Sequence, residues 1–226
     1  MNRIRRWLWR VFLCILALVL GLHLFCAAAL IMLRWVDPPT TAVQVQRRLE
    51  SWLGRHKYTK RYMFVPLERI PRDFQHAVVA AEDGSFYRHH GIDWQELHKV
   101  VNEDLAEGRL GRGASTITQQ LIKNLFFTTA RSPVRKIAEF TLAPLAELIL
   151  PKRRILELYL NVIEWGPGVY GAEAAARYHY GIPPARVSRA QAARLAAVIP
   201  SPRTRKPARM DGYSAEILAR MARMGW

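Results

Sequence analysis

Residues 71–91 read PRDFQHAVVAAEDGSFYRHHG, and the first half of this stretch decides the fold class. Phe74, Ala77, Val78 and Ala81 recur at i, i+3, i+4 and i+7, the spacing of one face of a helix. Asp73 stands where a first-turn or capping carboxylate favours a helix start. The apolar pattern stops at Glu82-Asp83-Gly84, so the helix closes on Glu82. A carboxylate at such a junction either points into a cleft or lies on a solvated face.

The same reading extends toward the C-terminus. Ser115 or Thr116 caps a helix running to Phe127, and another follows Ser132-Pro133. Pro144 is expected to kink that helix, because proline lacks an amide donor and clashes one turn back. Pro151 suits the first turn of a helix from Lys152 to Ile163. Ser188 with Gln191 reads as a capping box opening a helix to Ile199. Period-two alternation is scarce, so the domain reads all-α, with loops around Gly108–Gly113 and Trp165–Gly168.

Toward the N-terminus lies Val11–Leu33, 23 residues without a formal charge and with one histidine, His23. At 1.5 Å per residue it reaches about 34 Å, enough for a bilayer core. The run is longer than the apolar part of a cleaved signal peptide, so an uncleaved signal anchor is expected. Arg3, Arg5, Arg6 and Arg10 precede it, which places the N-terminus in the cytoplasm and the rest outside, periplasmic in an inner membrane. Trp7, Trp9 and Trp35 sit where interfacial anchors belong. His23 reads as a functional polar group or as a tolerated neutral imidazole, the latter favoured since nothing ionisable accompanies it. Residues 1–36 are thus a basic tip and anchor, 37–66 a membrane-proximal tether of little pattern, and 67–226 the main domain. In the tether Trp52, Tyr58, Tyr62, Met63 and Phe64 interleave with Arg55, Lys57, Lys60 and Arg61. That mixture suits either a surface on anionic headgroups or a solvated linker.

Composition narrows the function. The 226 residues carry 34 Lys+Arg against 18 Asp+Glu, a net charge of +16, which favours an anionic partner. Cys14 and Cys26 both lie in the apolar run, which excludes a disulfide framework and a cysteine zinc site. No HExxH or EF-hand run occurs, so no metal ligand is assigned. No Ser-x-x-Lys occurs either, so transpeptidation is not expected.

Four segments hold the chemistry. The first is Glu82 to Gly91. The second is Gly113 to Asn124, where Gln119 and Lys123, and Gln120 and Asn124, are spaced i, i+4. Two rows of amides and an ammonium can grip sugar hydroxyls and phosphate oxygens, or merely form a solvated face. The third is Arg131 to Glu139, in which Arg135 and Glu139 can pair on one helix. The fourth joins Lys152–Asn161 to the small-residue stretch Gly168–Ala176.

In this order the segments resemble glycosyltransferase family 51, the monofunctional biosynthetic peptidoglycan transglycosylases and the glycosyltransferase module of class A penicillin-binding proteins. The motif EDxxFxxHxG is met by Glu82, Asp83, Phe86, His89 and Gly91. GxSTxxQQxxKN is met by Gly113, Ser115, Thr116, Gln119, Gln120, Lys123 and Asn124. RKxxE is met by Arg135, Lys136 and Glu139, and KxxILExYLN by Lys152, Ile155, Leu156, Glu157, Tyr159, Leu160 and Asn161. The resemblance runs from about Tyr62 to Pro202, and Pro144 and Pro151 depart from the usual pattern.

The resemblance implies a lysozyme-like helical domain that polymerises lipid II into β-1,4-linked glycan, with inversion and release of polyprenyl pyrophosphate. It implies Glu82 as general base and Glu139 as a second catalytic carboxylate. Lys123 and Arg131 would hold the pyrophosphate. Gln119, Gln120, Ser115, Thr116, Arg135 and Lys136 would contact substrate, supported from behind by Asp83, Phe86, His89, Asn124, Lys152, Glu157 and Asn161; Tyr159 is expected in the core. No dedicated cofactor is expected; Mg²⁺ or Mn²⁺ would come with the pyrophosphate. Expected partners are lipid II, the lipid-linked glycan, anionic membrane and cell-wall synthesis proteins. Phe126-Phe127 and the Trp52–Phe64 stretch are expected at the membrane surface. The competing readings are a lysozyme-like lytic enzyme, a membrane-anchored scaffold without catalysis, and a nucleic-acid binder, which fits an outward-facing domain badly.

Overall fold

The structure is a computed structural model that describes residues 3–54, 58–106 and 114–226. The expected loop at Gly108–Gly113, with the motif residue Gly113, and Arg55 and Lys57 of the tether lie outside the described residues. Among the described residues one helix is long and apolar enough to cross a membrane, α1, Arg3–Leu33. Nearly all of its first 18 residues face outward, whereas Cys26, Leu30 and Leu33 are buried against the domain.

The stretch expected to be a patternless tether carries two elements. Helix α2, Ala42–Leu53, starts at Thr41, whose side chain accepts from the Gln44 amide. It packs on α5, and Gln46 fastens it there by exchanging hydrogen bonds with Thr129, 2.9 Å to Oγ1 and 2.7 Å from the amide. Strand β1, Arg61–Tyr62, follows.

The main body is helical, as expected. Helix α3, Arg72–Glu82, buries Phe74, Ala77, Val78, Val79 and Ala80, and packs against α9, Arg189–Ala196, and α10, Asp211–Arg223. Helix α4 is Trp94–Ala106. Helix α5, Ile117–Phe126, packs against α6, Pro133–Ile149, and α7, Lys152–Val162. Helix α8 is Ala172–Tyr180. Thr116, not Ser115, is the cap of α5, in a reciprocal capping box with Gln119; Ser188 and Gln191 do the same for α9, satisfying donors that a helix start leaves free.

Helix α6 holds Pro144 in its interior and continues past it. Gly91 explains what sits beside it: its φ is +91°, and a Cβ there would lie 2.7 Å from Ala143 C and Pro144 N. The loop ahead of α4 thus presses its bare backbone onto α6 at the proline. Residues 164–170 are not a loop but a hairpin, β2 Glu164–Gly166 and β3 Val169–Tyr170, and β1 joins it in parallel in the order β1-β3-β2. Strands of two or three residues are too short to show alternation in sequence.

Asn161 holds this side together. It is fully buried, accepts from the Val65 amide at 2.9 Å, and donates to the carbonyls of Val65 (2.9 Å) and Glu157 (2.8 Å). Asn161→Ala should leave the Val65 groups unpaired and cost about 2–3 kcal/mol, read as a fall in Tm of about 4–12 °C. An unchanged Tm would show that this side needs no such clasp.

Candidate active site

Glu82 ends α3 half-buried, beside a cleft of about 1060 Å³. The cleft is lined by the end of α3, the following loop, α4, Ala114–Thr116 and α10. Gln120 of α5 donates to Glu82 Oε2 at 2.8 Å, and Tyr159 OH donates to Gln120 Oε1 at 2.9 Å. Tyr159 is fully buried in the core, so the amide cannot rotate, and its NH₂ stays aimed at the carboxylate. Burial raises the Glu82 carboxyl above its ordinary value. The Gln120 hydrogen bond and the charges of Lys123 and Arg205 pull the other way, and Asp83 pushes it up further.

The second carboxylate, Glu139, is 3% exposed on α6. Lys136 Nζ and Arg135 Nε each lie 3.4 Å from one of its oxygens. Its Oε1 is buried without a hydrogen bond, because the Arg135 contact is an ion pair of poor alignment. Lys136 also donates to Ser115 Oγ at 2.7 Å, which ties the start of α5 to α6. Lys123 of α5 feels the charge of both carboxylates. Burial lowers its pKa, with Glu139 and Glu82 opposing and Arg135 and Lys136 reinforcing the shift. Two carboxylates and three cations therefore share one region.

The supporting residues lie behind it. Asp83 takes His89 Nε2 at 3.0 Å and the Ile117 amide at 2.9 Å, so a carboxylate caps the positive end of α5. Thr116 donates to Gly91 O at 2.7 Å. Lys152 pairs with Glu147 at 2.7 Å and stands 4.4 Å over the ring of buried Phe86. Thr118 donates to Glu147 as well. Glu157 accepts from the Leu67 amide at 2.8 Å and pairs with Arg154. Asn124 donates to Gln120 O at 2.8 Å.

Not every expected contact residue reaches the cleft. Gln119 is 1% exposed, and its Oε1 serves the Thr116 amide. Arg131 is exposed on the loop before α6, and among the described residues no hydrogen bond or ion pair ties it to the cluster. Two residues escaped the sequence reading. Arg205 donates to Ala197 O at 2.9 Å and lies 5.6 Å from the ring of Tyr213. Tyr213 lines the cleft with Glu82, and burial and the Glu82 charge raise its pKa. The basic run Arg203–Lys206 was the visible signal, but nothing local relates it to Glu82.

Residues 48–224 match the family described as transglycosylase. A protein of Nitrosospira multiformis, named a biosynthetic peptidoglycan transglycosylase, is 43% identical over 225 residues, 96% of each chain. Relatives of the same name from Laribacter hongkongensis and Pseudomonas aeruginosa are 41% and 42% identical, covering 88% and 89% of this chain and 87% and 88% of their own. With Glu82, Asp83, Ser115 and Thr116 lining one cleft and similarity running through α10, the chain belongs to the transglycosylase family.

Proposed function

We propose that this chain is a peptidoglycan glycosyltransferase that polymerises lipid II at a membrane surface. The observation that carries the reading is the carboxylate of Glu82, fixed by Gln120, beside the cationic group of Lys123, Arg135 and Lys136. Glu82 takes the proton from the acceptor sugar's 4-hydroxyl. That oxygen bonds to the donor's anomeric carbon as the bond to the pyrophosphate oxygen breaks. The base stands opposite the leaving group, so the centre inverts. Charge grows on the leaving pyrophosphate, and fixed cations stabilise it there. Glu139 keeps Lys123, Arg135 and Lys136 in place, and Arg131 reaches the pyrophosphate from its exposed loop.

The carboxylates offer a divalent cation no ligand set: Asp83 is taken by His89 and Ile117, and Glu139 is flanked by cations. Among the described residues no group of three or more His, Cys, Asp or Glu could hold a metal ion. The anchor crosses with its arginine-rich tip in the cytoplasm and the cleft outside. Val134, Ile137 and Leu148 of α6, exposed at 76%, 65% and 83%, form a lipid-facing surface beside it. Phe126 meets the anchor itself, its ring 6.5 Å from Phe25, while Trp52 and Met63 of the tether stay exposed.

The test is labelled lipid II with the full-length protein in a bilayer. Lengthened glycan with free polyprenyl pyrophosphate is expected; shortening of preformed glycan would show a lytic enzyme instead. The pH profile carries a second prediction. Because burial raises Glu82, the acid limb of kcat/KM should lie above the ordinary glutamate value of about 4.3. Arg205→Ala removes one of the charges that favour the ionised form, so the limb should move to higher pH. A limb that stays put would separate Arg205 from the base.

A further inference from the structure

The anchor and the domain meet along a line of contacts with a polar group at its deep end. His23 Nδ1 lies 2.8 Å from Val19 O, and His23 Nε2 lies 2.9 Å from Thr141 Oγ1 on α6. The Val19 carbonyl can only accept, so Nδ1 carries a hydrogen. Nε2 faces the Thr141 hydroxyl, which also donates to Ala138 O at 3.1 Å. Above this pair Cys26, Leu30 and Leu33 are buried. At the top Arg34 donates to Ile149 O at 2.8 Å. His23, Cys26, Leu30 and Leu33 thus form one face of α1, spaced by three and four residues, and α6 runs along it in the same direction.

We propose that His23 is a positioning residue, whose hydrogen bond to Thr141 fixes the anchor's rotation and height against α6, the helix bearing Arg135, Lys136 and Glu139. The proposal rests on the reading of the chain as a membrane-anchored polymerase of lipid II. Apolar contacts alone specify rotation weakly in lipid, where chain and solvent are equally apolar. A hydrogen bond is directional. His23 lies ten residues below Leu33, about 15 Å along the helix, and Arg34 with Ile149 forms the upper fastening. Two fastenings that far apart remove both swivel and slide. The group they hold stands two residues from Glu139.

The test uses the full-length protein in lipid bilayers, with Cys14→Ser and Cys26→Ser as background. His23→Cys with Thr141→Cys should be joined by a short bifunctional thiol reagent. Leu24→Cys with Thr141→Cys should not, because Leu24 is 71% exposed and points away. In the otherwise native chain, His23→Leu should slow lipid II polymerisation by about 3- to 15-fold, the range expected for loss of a hydrogen bond between membrane helices. His23→Gln keeps a donor and an acceptor and should restore most of the rate. If the wild type polymerises but the first cysteine pair is not joined, the contact is overturned. If the pair is joined and His23→Leu is as fast as wild type, the positioning role is overturned. No polymer from the wild type would sink the functional reading itself, whatever the cross-link shows.

Discussion

Glu82→Gln is expected to lower lipid II polymerisation by about 10³-fold, within the range carried by a positioned base. The amide keeps the size and the neighbours of the carboxylate, so the loss reports the proton acceptor and not the fold. The electrostatics predict a second effect. Burial raises the Glu82 pKa in the folded protein. The folded state therefore holds that proton to higher pH than the unfolded chain, and stability falls as pH rises through that window. At neutral pH an ionised Glu82 is a cost to folding, so the variant should melt at or above the wild-type temperature. A dead enzyme that melts well below wild type would remove the evidence for a base. Full activity would sink the assignment outright.

Gly91→Ala is expected to be strongly destabilising. The position has φ of +91°, which side chains adopt at a penalty, and the new Cβ would stand 2.7–2.8 Å from the backbone of Ala143 and Pro144. Neither atom is the end of a flexible side chain, so the loop must leave α6. That would also pull Gly91 O from Thr116 Oγ1 and loosen the start of α5. A cost of about 3 kcal/mol or more follows, a Tm lower by about 6–12 °C. Gly84→Ala makes the control, since a Cβ there meets nothing within 4 Å. Equal melting of the two variants would refute the close approach.

Legibility from sequence followed the range of the forces involved. Helices with local caps were readable, because Thr116 with Gln119 and Ser188 with Gln191 act across three residues. The ends were less so: α9 stops at Ala196, not Ile199, since its last residues turn in tighter bonds such as Val198 to Leu195. The motif residues Glu82, Gln120, Lys123, Lys136 and Glu139 were visible through the family resemblance, and the fold brings them together. Pairings between distant segments had no local signature. Arg205 reaches Glu82 only after α10 folds over α3, and Asn161 grips Val65 across 96 residues. His23 looked like a lone imidazole because its partner lies 118 residues away. The hairpin at 164–170 was hidden by brevity.

Arg154 of α7 donates from Nε to Leu33 O at 2.8 Å and from Nη2 to Val36 O at 3.0 Å, and pairs with Asp37 at 2.8 Å. The last carbonyls of a helix form the negative pole of its macrodipole, and in lipid they demand water or headgroups. Here a guanidinium from the domain supplies both the donors and the opposing charge. The domain end of this helix therefore makes no demand on the depth of the water boundary. The bilayer surface can settle wherever the apolar skin of the domain ends, and the anchor contributes attachment without dictating the waterline.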